Sequence, residues 1–149
     1  MTDHRLKVLF LCTGNSCRSQ MAEGWARHLK GAAIEPYSVG IEVHGLDPRA
    51  VRVMAEAGVD ISGQRSKHVS ELLDVPFDGV VTVCASARES CPAFTGKAKV
   101  IHRDFDDPPR LARAARTEDE ALTHYRRVRD EIRAFVLALP EALNRGPKP

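Results

Sequence analysis

The stretch from Leu6 to Ser19 constrains the fold more than any other. Leu6 to Leu11 is apolar apart from Lys7 and rich in Val, Leu and Phe. So short and unbroken an apolar run reads as a strand buried on both faces, as in a parallel sheet. Turn formers interrupt it at once, in Cys12-Thr13-Gly14-Asn15-Ser16. A helix is predicted from about Cys17 to Lys30, with Met21, Ala22, Trp25 and Leu29 recurring at helical spacing as its buried stripe and Gly31 as its C-cap.

The alternation continues along the chain. Ile34 to Val39 reads as a second strand and Gly40 to Gly45 as a loop. Asp47-Pro48 looks like an N-cap followed by proline at the first helical position, opening a helix that runs to about Ala57 and stops at Gly58. Val69 to Leu73 has room for one or two helical turns. Asp78 to Val83 is a third strand, nearly all valine after Gly79, and it ends at Cys84. Lys99 to His102 is a fourth strand, and Asp104 to Arg110 a proline-containing loop. Thr117, with Glu120 three residues on, forms a capping box for a last helix. Its apolar face is Leu122, Tyr125, Val128, Ile132, Phe135, Val136 and Leu139; Arg126, Arg127, Arg129, Asp130 and Arg133 fall mostly opposite and read as a solvated face. Residues 110–117 and the tail from Pro140 carry no clear pattern. Strands alternating with helices argue for an α/β fold with a parallel sheet. A length of 149 residues suits one domain over 1–149, and no linker divides it.

Charge and hydropathy exclude several classes. The net charge is only +2, and basic residues alternate with acidic ones, so no basic stripe points to nucleic acid. No apolar run approaches the roughly 20 residues that span a bilayer. Val8 to Leu11 is too short for the core of a signal peptide, and no small-residue cleavage site follows. The expectation is a cytoplasmic protein, monomeric by default. Cysteines are normally reduced there, so four of them suggest catalysis, redox chemistry or metal rather than structural disulfides.

Cys12 to Ser19 is a cysteine, five residues, an arginine and a serine, set between a predicted strand and a predicted helix. Backbone N–H groups at such a turn can point inward as a nest for an anion, and the helix N-terminus adds partial positive charge. Gly14 and Asn15 tolerate the left-handed backbone that a nest needs. Arg18 can offer two parallel hydrogen bonds to a tetrahedral oxyanion. The same field favours the Cys12 thiolate, the nucleophilic form, and the Ser19 hydroxyl can donate to its sulfur. A thiolate attacking phosphorus or arsenic also needs an acid to protonate the departing oxygen. Phe105-Asp106-Asp107-Pro108 offers one. Aspartate before proline is a common turn, but beside the cysteine loop Asp107 becomes the candidate acid, ahead of Asp106 and Asp104.

By residue type alone, Cys84 is equally a core cysteine at a strand end and Cys91 a spare thiol. Zinc fits poorly: Cys12-x4-Cys17 and Cys84-x6-Cys91 lack tight pairing on both sides, and His102 completes no regular ligand set. Cys17, one turn into the helix, reads as structural. None of the six scattered histidines is assigned to catalysis.

Cys-x5-Arg-Ser near the N-terminus, with Asp-Pro much later, resembles the low-molecular-weight protein tyrosine phosphatase fold. The fuller run CTGNSCRSQMAEGW from Cys12 to Trp25, with Cys84-x6-Cys91-Pro92 and Phe105-Asp106-Asp107-Pro108, is more specific. It resembles the thioredoxin-coupled arsenate reductases built on that fold. The similarity covers nearly the whole chain, including Tyr37-Ser38-x-Gly40-Ile41-Glu42 and Arg127-Val128-Arg129-Asp130-Glu131-Ile132. It implies a three-layer architecture, a four-stranded parallel sheet flanked by helices. It implies that Cys12 attacks arsenate, that Arg18 and the loop Thr13, Gly14, Asn15, Ser16 and Cys17 hold the oxygens, that Asp107 is the acid, and that Cys84 and Cys91 are the redox pair. Asn15, Glu23 and Ser38 match positions near a structural potassium ion in that family. At the fourth such position, where some members have an acidic residue, this chain has Lys67, whose ammonium group can replace the ion. The expectation is therefore no required cofactor and no potassium requirement. Without the resemblance, Glu23 would read as an exposed helical carboxylate.

The implied relay suits the electron count. Arsenate to arsenite takes two electrons, and two thiols becoming one disulfide supply two. Cys12 attacks arsenic, Cys84 attacks the Cys12 sulfur, and Cys91 attacks Cys84, leaving a Cys84–Cys91 disulfide for thioredoxin to reduce. Ala85 to Ser90, rich in small residues, must be mobile enough to carry Cys84 toward Cys12. The main rival is a phosphatase of the same fold, which needs only Cys12, Arg18 and Asp107 and leaves Cys84 and Cys91 without a role. Phosphatases that grip a tyrosine ring carry aromatic residues beside the acid, whereas Asp107-Pro108 is followed here by Pro109 and Arg110. A rival from another class, a non-catalytic oxyanion-binding regulatory protein, needs no Asp107 and loses no thiols.

Overall fold

The computed structural model describes residues 5–89, 91 and 98–145. Strands β1 (Leu6–Cys12), β2 (Ile34–Gly40), β3 (Gly79–Thr82) and β4 (Lys99–His102) form one parallel sheet in the order β2-β1-β3-β4. Helices α1 (Arg18–Lys30), α2 (Pro48–Glu56), α3 (Ala85–Glu89), α4 (Pro108–Ala112), α5 (Glu118–Leu137) and α6 (Glu141–Arg145) surround it. A 3-10 turn spans Val69–Leu72. All four expected strands are present, within a residue or two at their ends.

Val8, Leu9, Phe10 and Leu11 are each fully buried. Successive strand side chains point to opposite faces, so both faces of β1 are covered and the fold has three layers. Burying each large apolar side chain contributes about 1.5–3 kcal/mol, which makes β1 the centre of the core. From α5, Leu122, Tyr125, Val128, Ile132 and Val136 are buried, and Leu139 follows just beyond the helix end. Phe135 is only half-buried and meets Phe105 edge-on, 6.0 Å between centroids. Trp25 donates its indole N–H to the Arg129 carbonyl at 3.1 Å and fixes α1 against α5.

The caps are real. Asp47 accepts from the Arg49 amide, and Thr117 Oγ1 from the Glu120 amide at 3.1 Å. The Glu120 carboxylate, however, reaches back to the Arg116 amide, one residue earlier than the reciprocal bond of a capping box. Gly58, at φ 86, makes the left-handed turn that ends α2, whereas Gly31 caps α1 with a right-handed backbone at φ −59.

Two other expectations change, and two segments without an expected element gain one. The loop assigned to Asp104–Arg110 becomes helical at Pro108, because two prolines in a first turn lack only N–H groups that need no partner there. The tail from Pro140 is helical over Glu141–Arg145. The segment after Cys84, given no secondary structure from its sequence, is the helix α3; Ser90 and Pro92 lie outside the described residues. The charged side of α5 is not merely solvated. Arg126 grips Glu56 with two hydrogen bonds of 2.9 and 3.0 Å, Arg129 donates to the Val53 carbonyl, and Arg127 pairs with Asp106. Apolar periodicity marks the stripe that faces the core, but long arginines reach sideways to neighbouring elements. Among the described residues, no helix is long and apolar enough to cross a membrane.

Candidate active site

From the middle of the sheet, the chain leaves β1 for β2 on one side and β3 for β4 on the other. Ligands of open α/β sheets bind at such a switch point, at the carboxyl ends of the strands. Cys12 is the last residue of β1, and Cys84 lies two residues beyond β3. Leu11 pairs with Thr82, so the two cysteines come to the same edge on adjacent strands.

The turn after Cys12 is held from outside. The carbonyls of Cys12, Thr13, Gly14 and Ser16 accept from the amides of Ile41, Glu42, His44 and Asp47 at 2.8–3.1 Å. With its carbonyls turned outward, the loop keeps its N–H side for the cleft. Gly40 permits this approach: a Cβ there would stand 2.6 Å from the Asn15 amide nitrogen. Asn15 itself takes the left-handed conformation, φ 47, as its residue type suggests.

A buried chain of amides sets the hydrogen-bond polarity of the loop. The Lys67 backbone amide can only donate, and it donates to Asn15 Oδ1 at 2.7 Å. Gln64 donates to Gln20 Oε1, so Gln20 Nε2 donates in turn to Asn15 Oδ1, the Asn15 carbonyl and the Arg65 carbonyl. Asn15 Nδ2 is thereby directed to Ser19 Oγ at 2.8 Å. The Ser19 hydroxyl, which accepts from Asn15, lies 2.8 Å from the Cys12 sulfur and donates to it when that sulfur is a thiolate. Asn15, Ser19 and Gln20 are all fully buried, so this arrangement has no competing water.

Arg18, the first residue of α1, donates to the Phe105 carbonyl at 3.0 Å, and its guanidinium lies 3.8 Å from Asp107 Oδ2. Asp107, at the N-terminus of α4, faces the same cleft as Cys12. That cleft has a volume of about 260 Å³, and Thr13, Gly14, Ser16 and Cys17 form its floor. Asp106 points elsewhere, to Arg127. Cys84 is buried; the Thr13 hydroxyl lies 3.3 Å from its sulfur, linking it to the Cys12 loop. The Cys84 sulfur also accepts from the Ala87 amide at 3.4 Å, so it caps α3. Cys91 is half-buried, and burial pushes its thiol pKa up. Cys17 is buried, and burial, with the neighbouring Asp47, holds it well above the usual thiol range.

Glu23 is buried, not an exposed helical carboxylate. Its two oxygens accept from Ser38 Oγ and from Arg27, each at 2.6 Å. Lys67 Nζ donates to the Arg65 carbonyl at 2.9 Å. Burial lowers the Lys67 pKa, and the nearby Glu23 opposes that shift. Both Glu23 oxygens and Asn15 Oδ1 thus already accept from protein donors. Among the described residues, no group of three or more His, Cys, Asp or Glu side chains is placed to hold a metal.

Sequence reasoning missed four residues. Gln20 carried one signal, a polar residue inside the buried stripe of α1. Asp47 was read only as a cap; it also lines the cleft and accepts the Tyr125 hydroxyl at 2.6 Å. His44 lines the cleft, packs over Gly14 and pairs with Glu42 at 2.8 Å. Arg113 lines it too, from a segment that had no clear pattern.

The family model described as low molecular weight phosphotyrosine protein phosphatase matches residues 7–148. Arsenate reductase from Bacillus subtilis (strain 168) is 50% identical over 125 residues, 84% of this chain and 88% of that protein. A solved structure described as an arsenate reductase in the oxidized state superposes with a TM-score of 0.73 at 31% identity, covering 92% of this chain and 98% of the other. The low molecular weight protein tyrosine phosphatase from T. tengcongensis gives 0.71 at 28% identity, over 92% and 99%. The chain therefore belongs to the low molecular weight phosphotyrosine protein phosphatase family, with arsenate reductases among its relatives of about 50% identity.

Proposed function

We propose that the chain reduces arsenate to arsenite through Cys12, Cys84 and Cys91, with a dithiol protein of the thioredoxin class as the reductant, in the cytoplasm and as a monomer. One observation carries this reading. A second thiol, Cys84, sits at the Cys12 loop beside Thr13, and a third, Cys91, follows just beyond the short helix that Cys84 caps. Phosphoryl transfer needs only the first. The relatives named arsenate reductase support the choice of substrate.

The Cys12 thiolate attacks arsenic while Asp107 gives a proton to the departing oxygen, which leaves as water. Cys84 as thiolate then attacks the Cys12 sulfur. The electron pair of the sulfur–arsenic bond goes to arsenic, and arsenite leaves. Cys91 attacks Cys84, Cys12 is freed as a thiolate, and the Cys84–Cys91 disulfide passes to the external dithiol. Burial raises the Cys91 pKa, so its attack on Cys84 requires that its thiol first give up a proton.

The test is a single turnover. Reduced protein is mixed with arsenate without reductant, alkylated, digested and mapped by mass spectrometry. A Cys84–Cys91 disulfide with one arsenite per chain is expected. Hydrolysis of an aryl phosphate with all four thiols still free would instead establish the phosphatase reading, which Cys12, Arg18 and Asp107 are sufficient to support. We also propose that no potassium is required, since Lys67 and Arg27 already supply cationic donors around Glu23. Replacing potassium by a larger inert cation is expected to leave turnover unchanged; a large loss would overturn this.

A further inference from the structure

The helix that the sequence left without a pattern builds one wall of the cleft. Pro108 and Pro109 start α4 directly after Asp107, so the acid loop and the helix form one unit. Arg110 and Arg113, three residues apart, emerge on the same side of α4. Arg113 lines the Cys12 cleft, and Arg110 lines the adjoining groove with Arg18 and Asp104. Arg113 is exposed, and no ion pair or side-chain hydrogen bond among the described residues engages its guanidinium.

Charge balance shows what such a residue does there. The formally charged side chains of the cleft are Arg18, Arg113, Asp47 and Asp107, with His44 at its edge. Arg18 is already shared between the Phe105 carbonyl and Asp107. Without Arg113, an incoming dianion would meet two carboxylates and one guanidinium. With it, the lining is balanced, and the loop N–H groups and the α1 N-terminus tip the cleft toward an anion.

We infer that Arg113 is the second guanidinium of the oxyanion site, a binding residue that captures a small dianionic oxyanion at the mouth of the cleft and hands it to Arg18. The inference rests on the oxyanion-binding reading of the Cys12 loop and extends it to a residue outside that loop. An exposed guanidinium on an anion acts over about a Debye length and weakens with salt. A charge-assisted contact of this kind changes affinity by roughly tenfold.

The probe is inorganic phosphate, which has the shape of arsenate and oxidises no thiol. In the wild-type chain, phosphate protects Cys12 from iodoacetamide. In Arg113→Gln, the half-protecting concentration is expected to rise roughly tenfold and to lose much of its salt dependence. Arg113→Lys keeps the charge and is expected to retain most of the protection, while Arg116→Gln, on the same segment but outside the cleft lining, leaves it at the wild-type value. Under turnover with arsenate, KM should rise by the same factor in Arg113→Gln at constant kcat. Wild-type protection in Arg113→Gln, or an equal shift in Arg116→Gln, would overturn the inference while leaving the oxyanion site standing. Failure of phosphate to protect Cys12 in the wild-type chain would overturn both.

Discussion

Cys12 at the end of β1 and Cys84 just beyond β3 come to the same edge of the sheet, yet the segments that follow them are built in opposite ways. The first is held through its carbonyls and its buried side chains. Its carbonyls are tied to residues 41–47, and Asn15, Ser19 and Gln20 are buried in a network whose polarity a backbone amide dictates. The second is the five-residue helix α3, in which Ala85, Ser86 and Glu89 are exposed and Ala87 is buried. Its cap is the Cys84 sulfur itself. Binding and attack on a tetrahedral anion need a preorganised frame. A relay of thiols needs one sulfur that can travel. In the proposed relay the sulfur that travels also caps its own helix, so attack on Cys12 is expected to cost α3 that cap.

The sharpest way to break this contrast is to remove the last thiol. Cys91→Ser is expected to stop reductant-driven turnover by roughly a hundredfold or more, because the Cys12–Cys84 disulfide has no internal resolving partner. Mass mapping after one turnover should then find that disulfide, with one arsenite still released. A smaller effect is expected on the fixed side. Gln20→Ala leaves Asn15 without one of its orienting donors and costs about 1–3 kcal/mol in thermal or urea unfolding. The rate of Cys12 alkylation should fall with it, since the Ser19 hydrogen is no longer directed to the sulfur. An unchanged alkylation rate would show that the network supports the fold alone.

The smallest effect is a pH dependence. Cys17 has its pKa raised in the folded state, so its contribution to stability is fully present below the ordinary thiol range. That contribution is lost as pH rises toward the folded value, because the unfolded chain then releases a proton that the folded chain holds. Urea unfolding from neutral pH upward is expected to show stability falling at alkaline pH in the wild-type chain and falling less in Cys17→Ala. Parallel curves would contradict it.

The frame of the site was legible because it rests on local rules. An unbroken apolar run, turn formers and a 3.6-residue stripe placed β1, the loop and α1, and the Thr117 and Asp47 caps were visible as residue types. What escaped depends on side chains crossing between elements. Nothing near Arg126 or Arg129 in the sequence points to Glu56 or Val53. Gln20 looks like any helical glutamine until Gln64 and Asn15 close around it. α4 hid behind its prolines, which read as a loop in sequence and open a helix in space. Arg113 went unread with it.

The pairing of Leu11 with Thr82 also bears on how such a chain tolerates change. Cys12 and Cys84 are 72 positions apart in sequence, but the strand register, not the length of chain between them, sets their separation in space. Residues added in the surface turns between β2 and β3 would leave the two sulfurs where they are. One residue added inside β3 would reverse the faces of the shifted strand residues and carry Cys84 out of its register with the end of β1. The placing of the two sulfurs therefore tolerates changes of length in the surface turns between β2 and β3 and depends on the register of a strand of four residues.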